Sequence, residues 1–470
     1  MQIINPKFDV EKVKKATYDQ PIWLHFGAGN LFRAFPAVLQ QGLIERGLSD
    51  KGIIVCEAFD EEIIEKVYTP YDNTHLSVTL NADGTKQKRM IASITEALAA
   101  SESYIRLKEI CAKESLQIIS FTITEKGYQS SIIELVAMLC RERFKAGELP
   151  IALLSLDNCS KNGDVLKAAL LSKTTDEEFI KYLNNSYKVS FPLSMIDKIT
   201  PRPSEDVAKS LAEEGFPNTE IFVTSKNTYV APFVNAEAVQ YLAIEDKFPN
   251  GRPPLERESV IFCDRETVDR IEAMKVRTAL NPLHTAMSVF ARLFGYEYIY
   301  EAMQDDSIKR FIIRLGYGEL MPMVVNPGVI EPLKFMNEVI TERFPNPCIP
   351  DMPERILCDT SQKIPVRFGE TLKAYAENDA KALSELTLIP LVFAGWLKYL
   401  TGLNDKNEPF KLSPDPMLNE LTALEPEEIL LKTEIFGIDL YEFGLAEKIL
   451  DMFEEMSSLS VRETFEKYIT

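Results

Sequence analysis

Ile22-Trp-Leu-His-Phe-Gly-Ala-Gly-Asn-Leu-Phe-Arg-Ala-Phe35 is the stretch that decides the fold of the first half of the chain. Its first residues, 22–26, are apolar and are typical of a short buried strand, and a glycine-containing turn follows at once. A helical pattern then continues to Gly47, and a second apolar strand follows over residues 52–60. Strand, glycine turn, helix and strand in this order predict a βαβ unit.

The glycine turn indicates a dinucleotide-binding site. Gly27 and Gly29 let backbone N–H groups approach a pyrophosphate at a helix start, and Glu57 or Asp60 can bond the ribose hydroxyls of adenosine. Phe32 stands where the usual Gly-x-Gly-x-x-Gly has its third glycine, so an ordinary structural turn is the alternative. Because an acid ends the second strand, the sequence predicts NAD rather than NADP.

Further strand patterns extend this domain. Residues 76–80 and 88–92 alternate in polarity and are joined by Asn81-Ala-Asp-Gly84, which predicts a β-hairpin insertion. Parallel-type strands follow at 117–124 and 151–156, each ending in a polar turn where ligands of such sheets bind. The predicted cofactor contacts are Gly27, Gly29, Asn30, Phe32, Arg33, Glu57, Asp60, Thr124 and Glu125.

After Lys275 the strand signals fade and helical periodicity takes over. The helical segments are 282–303, 306–319, 329–344, 367–379, 380–401 and 441–469. A chain of 470 residues is too long for one core. We therefore predict an α/β Rossmann-type domain of residues 1–265 with the hairpin insertion, followed by a mostly α-helical domain of residues 266–470.

The segment Glu272 to His284 carries residues with catalytic chemistry. Asn281-Pro282 marks a helix start with Asn281 as N-cap, and Gly295 is a plausible C-cap. First helical turns favour anionic or alkoxide-like groups, and Lys275 beside such a turn can exchange protons. The alternative is a surface lysine, a capping asparagine and a core histidine, but only three histidines occur in the chain and one lies here.

Composition limits the class of protein. The net charge is −19, which disfavours nucleic acid and anionic membranes as partners. The start resembles no signal peptide, no 18-residue apolar run occurs, and seven scattered cysteines form no Cys-x-x-Cys pair or metal-ligand spacing. We expect a cytoplasmic protein with reduced thiols, no bound metal and a small-molecule substrate, as a monomer or a homodimer.

Two cation-containing stretches occur in the helical half, at 343–347 and 355–367. Their arginines and lysines are suited to bind a substrate carboxylate or sugar hydroxyls. A solvated helix face is the alternative interpretation.

Six motifs occur in one order along the chain: Leu24-His-Phe-Gly-Ala-Gly-Asn-Leu-Phe-Arg-Ala-Phe35, Thr122-Ile-Thr-Glu-Lys-Gly-Tyr128, Asp157-Asn158 with Asn162-Gly163, Phe191-Pro with Met195-Ile-Asp-Lys-Ile-Thr-Pro201, Ile244-Glu-Asp-Lys-Phe-Pro-Asn-Gly-Arg-Pro253, and the Lys275 to His284 segment. Together they resemble the polyol-specific long-chain dehydrogenases, the family of mannitol 2-dehydrogenase, fructuronate reductase and tagaturonate reductase. The resemblance implies a Rossmann-type domain, a helical domain, an active site between them and no metal.

The resemblance also implies residue roles. They are proton exchange by Lys275, carbonyl polarisation by Asn281 with Asn158 or Asn162, substrate orientation by His284, proton relay by Glu272, and substrate binding by Arg355 and Lys363.

One departure from the family lies between Lys275 and Asn281. Five residues separate them where the family usually has four, and Asn-Pro replaces the usual Asn-Gly. A bulge before the helix can absorb the extra residue, although Arg277 then becomes a second cation near the predicted base.

The predicted function is that of an NAD-dependent reductase of a ketohexuronate such as fructuronate. Mannitol 2-dehydrogenase and tagaturonate reductase are the alternatives within the family. A nucleotide-binding sensor without turnover is the alternative outside the enzymes, and the extra residue before Asn281 is the feature that favours it.

Overall fold

The computed structural model of the protein describes residues 3–123 and 125–469. The chain divides into two compact units: the first contains Met1–Asn81 and Thr85–Asp269, and the second contains Ala82–Gly84 and Arg270–Thr470. The strands, all in the first unit, are β1 Trp23–Phe26, β2 Ile53–Glu57, β3 His75–Leu80, β4 Lys86–Ile91, β5 Ile94–Ala99, β6 Ile118–Phe121, β7 Ile151–Ser155, β8 Val189–Ser190, β9 Ser194–Asp197, β10 Phe222–Val223, β11 Tyr229–Val230, β12 Phe233–Glu237, β13 Tyr241–Glu245 and β14 Ile261–Cys263.

A six-stranded parallel sheet in the order β5-β2-β1-β6-β7-β8 forms the centre of the first unit. Alternate residues of β1 enter different cores, Leu24 on one face and Trp23 on the other. The α-helices up to Met274 are Val10–Asp19, Asn30–Ala34, Pro36–Glu45, Glu62–Val67, Tyr104–Cys111, Ser131–Lys145, Asn162–Leu171, Glu177–Asn184, Glu205–Glu213 and Arg265–Met274. The predicted Rossmann-type fold is confirmed, and the strand order reverses beside β1, where ligands of such sheets bind.

The hairpin insertion is also present. β3 and β4 pair antiparallel from His75 opposite Ile91 to Leu80 opposite Lys86. The turn closes where the Asn81 N–H donates to the Thr85 carbonyl at 3.0 Å. β12 adds to β3 in parallel and completes a three-stranded sheet.

Helices make up the second unit, as predicted, although several are shorter than the sequence periodicity indicated. Its α-helices are Asn281–Phe294, Ile299–Ala302, Asp306–Arg314, Pro332–Glu338, Pro353–Ile356, Thr360–Ile364, Glu370–Asn378, Ala380–Glu385, Leu388–Leu400, Leu418–Leu421, Pro426–Leu430, Thr433–Phe436, Leu445–Ser458 and Val461–Ile469. The predicted helix 282–303 is interrupted because Gly295 adopts a left-handed conformation (φ 85°). The predicted helix 380–401 is interrupted because Leu386 is extended.

π-Helical turns interrupt the helical pattern at several sites. The described residues contain four of them, Lys275–Ala279, Leu315–Leu320, Val339–Arg343 and Pro365–Gly369. Each such turn takes up one more residue than an α-helical turn, and π-turns are frequent at functional sites.

The helix Leu388–Leu400, called the buried helix below, is the centre of the second unit. All of its residues are buried. Its start is capped from a distance, because the Glu319 carboxylate accepts the backbone N–H groups of residues 387–389 at 2.8 Å each. None of the described helices is long and apolar enough to cross a membrane.

The cap by Glu319 predicts a stability effect. Glu319→Ala leaves three helix-start N–H groups without their acceptor and is expected to lower the free energy of unfolding by about 2 kcal/mol. Urea titration measures the loss. The exposed Glu377→Ala is the matched control and is expected to be neutral; equal effects of both variants would contradict the capping role.

Candidate active site

The glycine turn after β1 has the geometry that a phosphate group requires. Gly27 has φ 107°, and a Cβ there would lie 2.8 Å from Thr122 Oγ1, so only glycine fits. Gly29 precedes the helix Asn30–Ala34, which has no side-chain cap, and a Cβ at Gly29 would meet only open space. The helix start is therefore accessible to a ligand anion, and this loop fits the pyrophosphate of a dinucleotide.

Glu57 ties the glycine turn to the end of β2. Its Oε2 accepts the Ala28 N–H at 2.7 Å, and its Oε1 accepts the N–H groups of residues 58–60 at 2.9 to 3.2 Å. Asp60 is also buried, and its Oδ2 accepts the Thr224 hydroxyl at 2.6 Å. Within the described chain, Asp60 Oδ1 has no hydrogen-bond partner. Glu57 therefore shapes the loop, and Asp60 retains an acceptor.

The other predicted cofactor residues differ in position. Asn30 is half-buried and donates to the Tyr229 carbonyl at 3.3 Å. Phe32 and Arg33 are fully buried. Thr124 and the side chain of Glu125 lie outside the described residues.

The two turn asparagines after β7 have different environments. The Asn162 side chain is buried and donates to the Ser194 carbonyl at 3.1 Å and to the Ser194 hydroxyl at 3.0 Å. Its Oδ1 accepts the Ser194 N–H at 3.1 Å, so this amide holds the chain together. Asn158 is exposed and is the better candidate for a substrate contact.

Lys275 begins a π-helical turn, Lys275–Ala279, called the lysine turn below. The turn closes where the Leu280 N–H donates to the Lys275 carbonyl at 3.1 Å, and it takes up the extra residue that separates Lys275 from Asn281. Lys275 is only 8% exposed, and Glu272 lies three residues earlier on the same side of the preceding helix.

The helix Asn281–Phe294, called the site helix below, begins one residue earlier than predicted. Its N-cap is Leu280 and has no side-chain cap bond, so the prediction that Asn281 is the N-cap is wrong. Asn281 is instead the first helical residue and Pro282 the second, because Leu280 already leaves the helical conformation (φ −132°). The side chain of Asn281 is thus available for a ligand. Gly295 is the C-cap, as predicted.

Arg277, the second cation of the lysine turn, is bound elsewhere. Its Nη1 lies 3.0 Å from Glu370 Oε2, and its carbonyl accepts the Thr371 hydroxyl at 3.1 Å. A guanidinium also keeps its proton under ordinary conditions. Lys275 is therefore the better candidate for the acid and base.

His284 lies one turn after Asn281 and faces Asp351. Its Nε2 is 3.1 Å from Asp351 Oδ2, and its ring centroid is 5.1 Å from that of Phe344. Burial lowers the pKa of His284 against the opposing influence of Asp351, so the imidazole is neutral near pH 7. Burial favours the neutral carboxyl of Asp351, but contacts with His284 and Arg355 lower its pKa overall.

Two cations of the stretch 355–367, Arg355 and Arg367, lie close enough to His284 to lower its pKa. Arg355 is exposed and donates to Asp351 Oδ1 through Nε at 2.9 Å and Nη2 at 2.7 Å. Lys363 donates to the Cys358 carbonyl. Arg367 lies in the π-turn Pro365–Gly369, called the arginine turn below, and its Nη1 donates to the Thr285 hydroxyl. Asp351 was missed because nothing in the local sequence links it to the site helix, and Arg367 was predicted only as one cation of the stretch 355–367.

A distant loop fixes the two short helices that carry Arg355 and Lys363. Asp415 Oδ2 accepts the Ser361 N–H at 2.8 Å, and its Oδ1 accepts the Ser361 hydroxyl at 2.6 Å. Ser413 Oγ donates to the Glu354 carbonyl at 2.9 Å. The segment Ser413-Pro-Asp-Pro416 therefore holds residues 354–361 in place.

A glycine turn for a dinucleotide in one unit and a lysine, amide and imidazole group in the other define a nucleotide-dependent dehydrogenase of the Rossmann type. Comparison with known families shows to which family of dehydrogenases the chain belongs. The mannitol dehydrogenase Rossmann domain matches residues 21–257, and the mannitol dehydrogenase C-terminal domain matches residues 267–457. The chain belongs to the mannitol dehydrogenase family.

Individual relatives are similar over nearly the whole chain. D-mannonate oxidoreductase of Thermotoga maritima is 46% identical over 99% of this chain and 95% of its own length. Mannitol 2-dehydrogenase of Emericella nidulans is 29% identical over 95% of this chain and 92% of its own.

Solved structures share the fold. A substrate-free D-sorbitol dehydrogenase has a TM-score of 0.84 at 23% identity, covering 98% of this chain and 97% of its own. The mannitol 2-dehydrogenase of Pseudomonas fluorescens, in a ternary complex with NAD and D-mannitol, has a TM-score of 0.73 at 23% identity, covering 99% and 96%.

The histidine at the base of the glycine turn predicts a pH effect. His25 is fully buried, and burial lowers its pKa to about 3. Below about pH 6.5 the unfolded chain gains a proton that the folded chain refuses, so stability falls as the pH drops toward 3. Between pH 7 and pH 5 this costs about 2 kcal/mol, a loss that His25→Gln is expected to remove. Urea titrations at both pH values test it, and parallel losses in variant and wild type would refute it.

Proposed function

We propose that the protein interconverts a ketohexuronate and its sugar acid, of the fructuronate and mannonate type, using NAD. The observation that carries the proposal is the group formed by Lys275, Asn281 and His284 at one helix start, with the cations Arg355 and Arg367 beside it. The first three residues suit the chemistry at a carbonyl, and the cations suit a substrate carboxylate.

Each residue of the candidate site has a separate proposed role in the reaction. Lys275 donates a proton to the carbonyl oxygen during reduction and takes it back from the hydroxyl during oxidation, and Glu272 passes it toward solvent. The Asn281 amide donates to the oxygen on which negative charge develops, and we propose Asn158 as the second amide. The neutral His284 imidazole, backed by Asp351, orients a substrate hydroxyl. The bound nicotinamide supplies or accepts the hydride.

The residues of the glycine turn fit the cofactor. Gly27 and Gly29 leave the helix start open to the pyrophosphate, and Asp60 Oδ1 is an acceptor for a ribose hydroxyl. Two acids, Glu57 and Asp60, oppose an additional 2′-phosphate by like-charge repulsion. We therefore propose NAD over NADP.

The cations favour an acid substrate over a neutral polyol. The whole chain carries a net charge of −19, so a local group of cations must be specifically placed to attract an anion. The relative at 46% identity bears the name of a mannonate oxidoreductase, which supports the same substrate class.

The sensor alternative has lost its main support. It rested on the extra residue before Asn281, which the lysine turn takes up without displacing Asn281 or His284 from the helix start. Tagaturonate, which differs from fructuronate in the configuration at one hydroxyl, is the alternative substrate within the same chemical class.

The substrate proposal is tested by NADH oxidation with fructuronate, tagaturonate, fructose and xylulose, with NADPH in parallel. We expect kcat/KM for a ketohexuronate to exceed that for its neutral ketose by about 100-fold or more, because only the acid can pair with the cations. Faster reduction of fructose than of either uronate would contradict the proposal and would favour a mannitol dehydrogenase.

Lys275→Ala tests the acid and base. Loss of general acid catalysis is expected to lower kcat by about 10²- to 10⁴-fold, while NADH affinity, measured by fluorescence titration, stays unchanged. Lys381→Ala, at an exposed helix position, is the matched control with wild-type turnover expected. Undiminished turnover in Lys275→Ala would refute the assignment.

A further inference from the structure

The two cations that the sequence singled out are already bound within the protein. Arg355 directs two N–H groups at one oxygen of Asp351, so a buried carboxylate neutralises it. Lys363 donates to the carbonyls of Ile356, at 3.4 Å, and Cys358, and so satisfies the end of a short helix. Two of the five N–H donors of Arg355 and two of the three of Lys363 are thus engaged before a substrate binds.

Arg367 forms fewer hydrogen bonds within the described protein than Arg355 or Lys363 does. Among the described residues its side chain forms one hydrogen bond, to the Thr285 hydroxyl, and pairs with no carboxylate. Most N–H donors of its guanidinium therefore lack an acceptor within this part of the protein, and because the side chain is half-buried they are open to a ligand. Burial, and next the charge of Arg355, lower the pKa of Arg367 to about 10, so the group remains charged near pH 7 but is destabilised there.

The nearby carboxylates are committed to other partners. Asp351 is bound by Arg355, Glu354 lies 2.8 Å from Arg292, and Asp415 caps the helix at Ser361. The charge of Arg367 is therefore uncompensated by the described protein, and a bound anion would relieve the cost of its burial.

The position of Arg367 connects it with the reaction. Thr285, its hydrogen-bond partner, directly follows His284 on the first turns of the site helix. The arginine turn also packs against the lysine turn, since Thr371 and Glu370 just after it bind Arg277. An anion on Arg367 thus belongs to the same local group of residues as the proposed catalytic side chains.

We propose that Arg367, held in place by Thr285, binds the substrate carboxylate and makes the enzyme select a keto acid over the neutral ketose of the same length. This assignment rests on the proposed function. A guanidinium matches a carboxylate with two parallel hydrogen bonds, whereas a primary hydroxyl offers neither charge nor a second acceptor. The role of Arg355 is then to hold Asp351 against His284.

The test compares Arg367→Gln with wild type on fructuronate and on fructose, with NADH in both cases. We expect kcat/KM for fructuronate to fall about 100-fold, mainly through KM, and kcat/KM for fructose to change by about threefold or less. Arg310→Gln, at an exposed position of the same unit, is the matched control and is expected to match wild type on both substrates. Arg367→Lys is expected to recover part of the loss, because it restores charge without the planar fork.

Thermal unfolding separates recognition from a structural role. If Arg367 serves recognition, removing its partly buried and uncompensated charge is expected to leave the Tm of the free protein unchanged or raised. If Arg367 is a structural residue, its removal would lower the Tm. Equal losses on both substrates with a lowered Tm would overturn the assignment. If wild type prefers fructuronate and Arg367→Gln keeps that preference, the assignment of Arg367 is overturned, whereas the proposed function is not. A wild type that prefers fructose would overturn both.

Discussion

The packing of the site helix against the buried helix is the constraint on which the second unit depends. Every residue of Leu388–Leu400 is removed from water, so other helices must cover this helix on all sides. At Gly395 the side chains of the site helix lie so close to the buried helix that a Cβ would lie 2.8 Å from the Phe290 ring. Phe290 in turn packs on Phe465, with ring centroids 4.5 Å apart. This contact holds the far part of the site helix in a dense core, which leaves its first turn, with Asn281 and His284, in a fixed place.

π-Turns position two residues of the candidate site, Lys275 and Arg367, on this rigid frame. A π-turn widens the helix by one residue and redirects the side chains that follow, and it persists only where the surrounding packing holds it. The lysine turn redirects the chain just before Asn281, and the arginine turn does so at Arg367, after Pro365 has removed a backbone donor. Gly369 ends the arginine turn against the Phe436 carbonyl, where a Cβ would lie only 2.7 Å away. The extra residue before Asn281 is thus a feature of the site.

Local pattern was sufficient to predict the elements whose physics is local. The strand and glycine turn of residues 22–35 predicted the βαβ unit, and the turn Asn81 to Gly84 predicted the hairpin. Features that depend on distant residues were beyond such reasoning: Glu319 caps a helix about 70 positions later, and Thr285 meets Arg367 across 82 positions. Periodicity also joined helices across Gly295, because a hydrophobic pattern can continue through a break in the backbone. The family motifs indicated Lys275 and His284, but not that Arg367 is the nearby cation without a carboxylate partner among the described residues.

The electrostatics of the second unit follow from these contacts. Asp351 compensates Arg355 and faces a neutral His284, while Arg367 is left with a hydroxyl as its protein partner, so the site holds a net positive charge in an acidic protein. The central claim is that this charge receives the carboxylate while Lys275 handles the proton. A crystal structure of the complex with NAD and mannonate tests it most directly. The account predicts the carboxylate within hydrogen-bonding distance of the Arg367 guanidinium and the reacting hydroxyl within that distance of Lys275 Nζ. A carboxylate bound away from Arg367, or a reacting hydroxyl remote from Lys275, would contradict it.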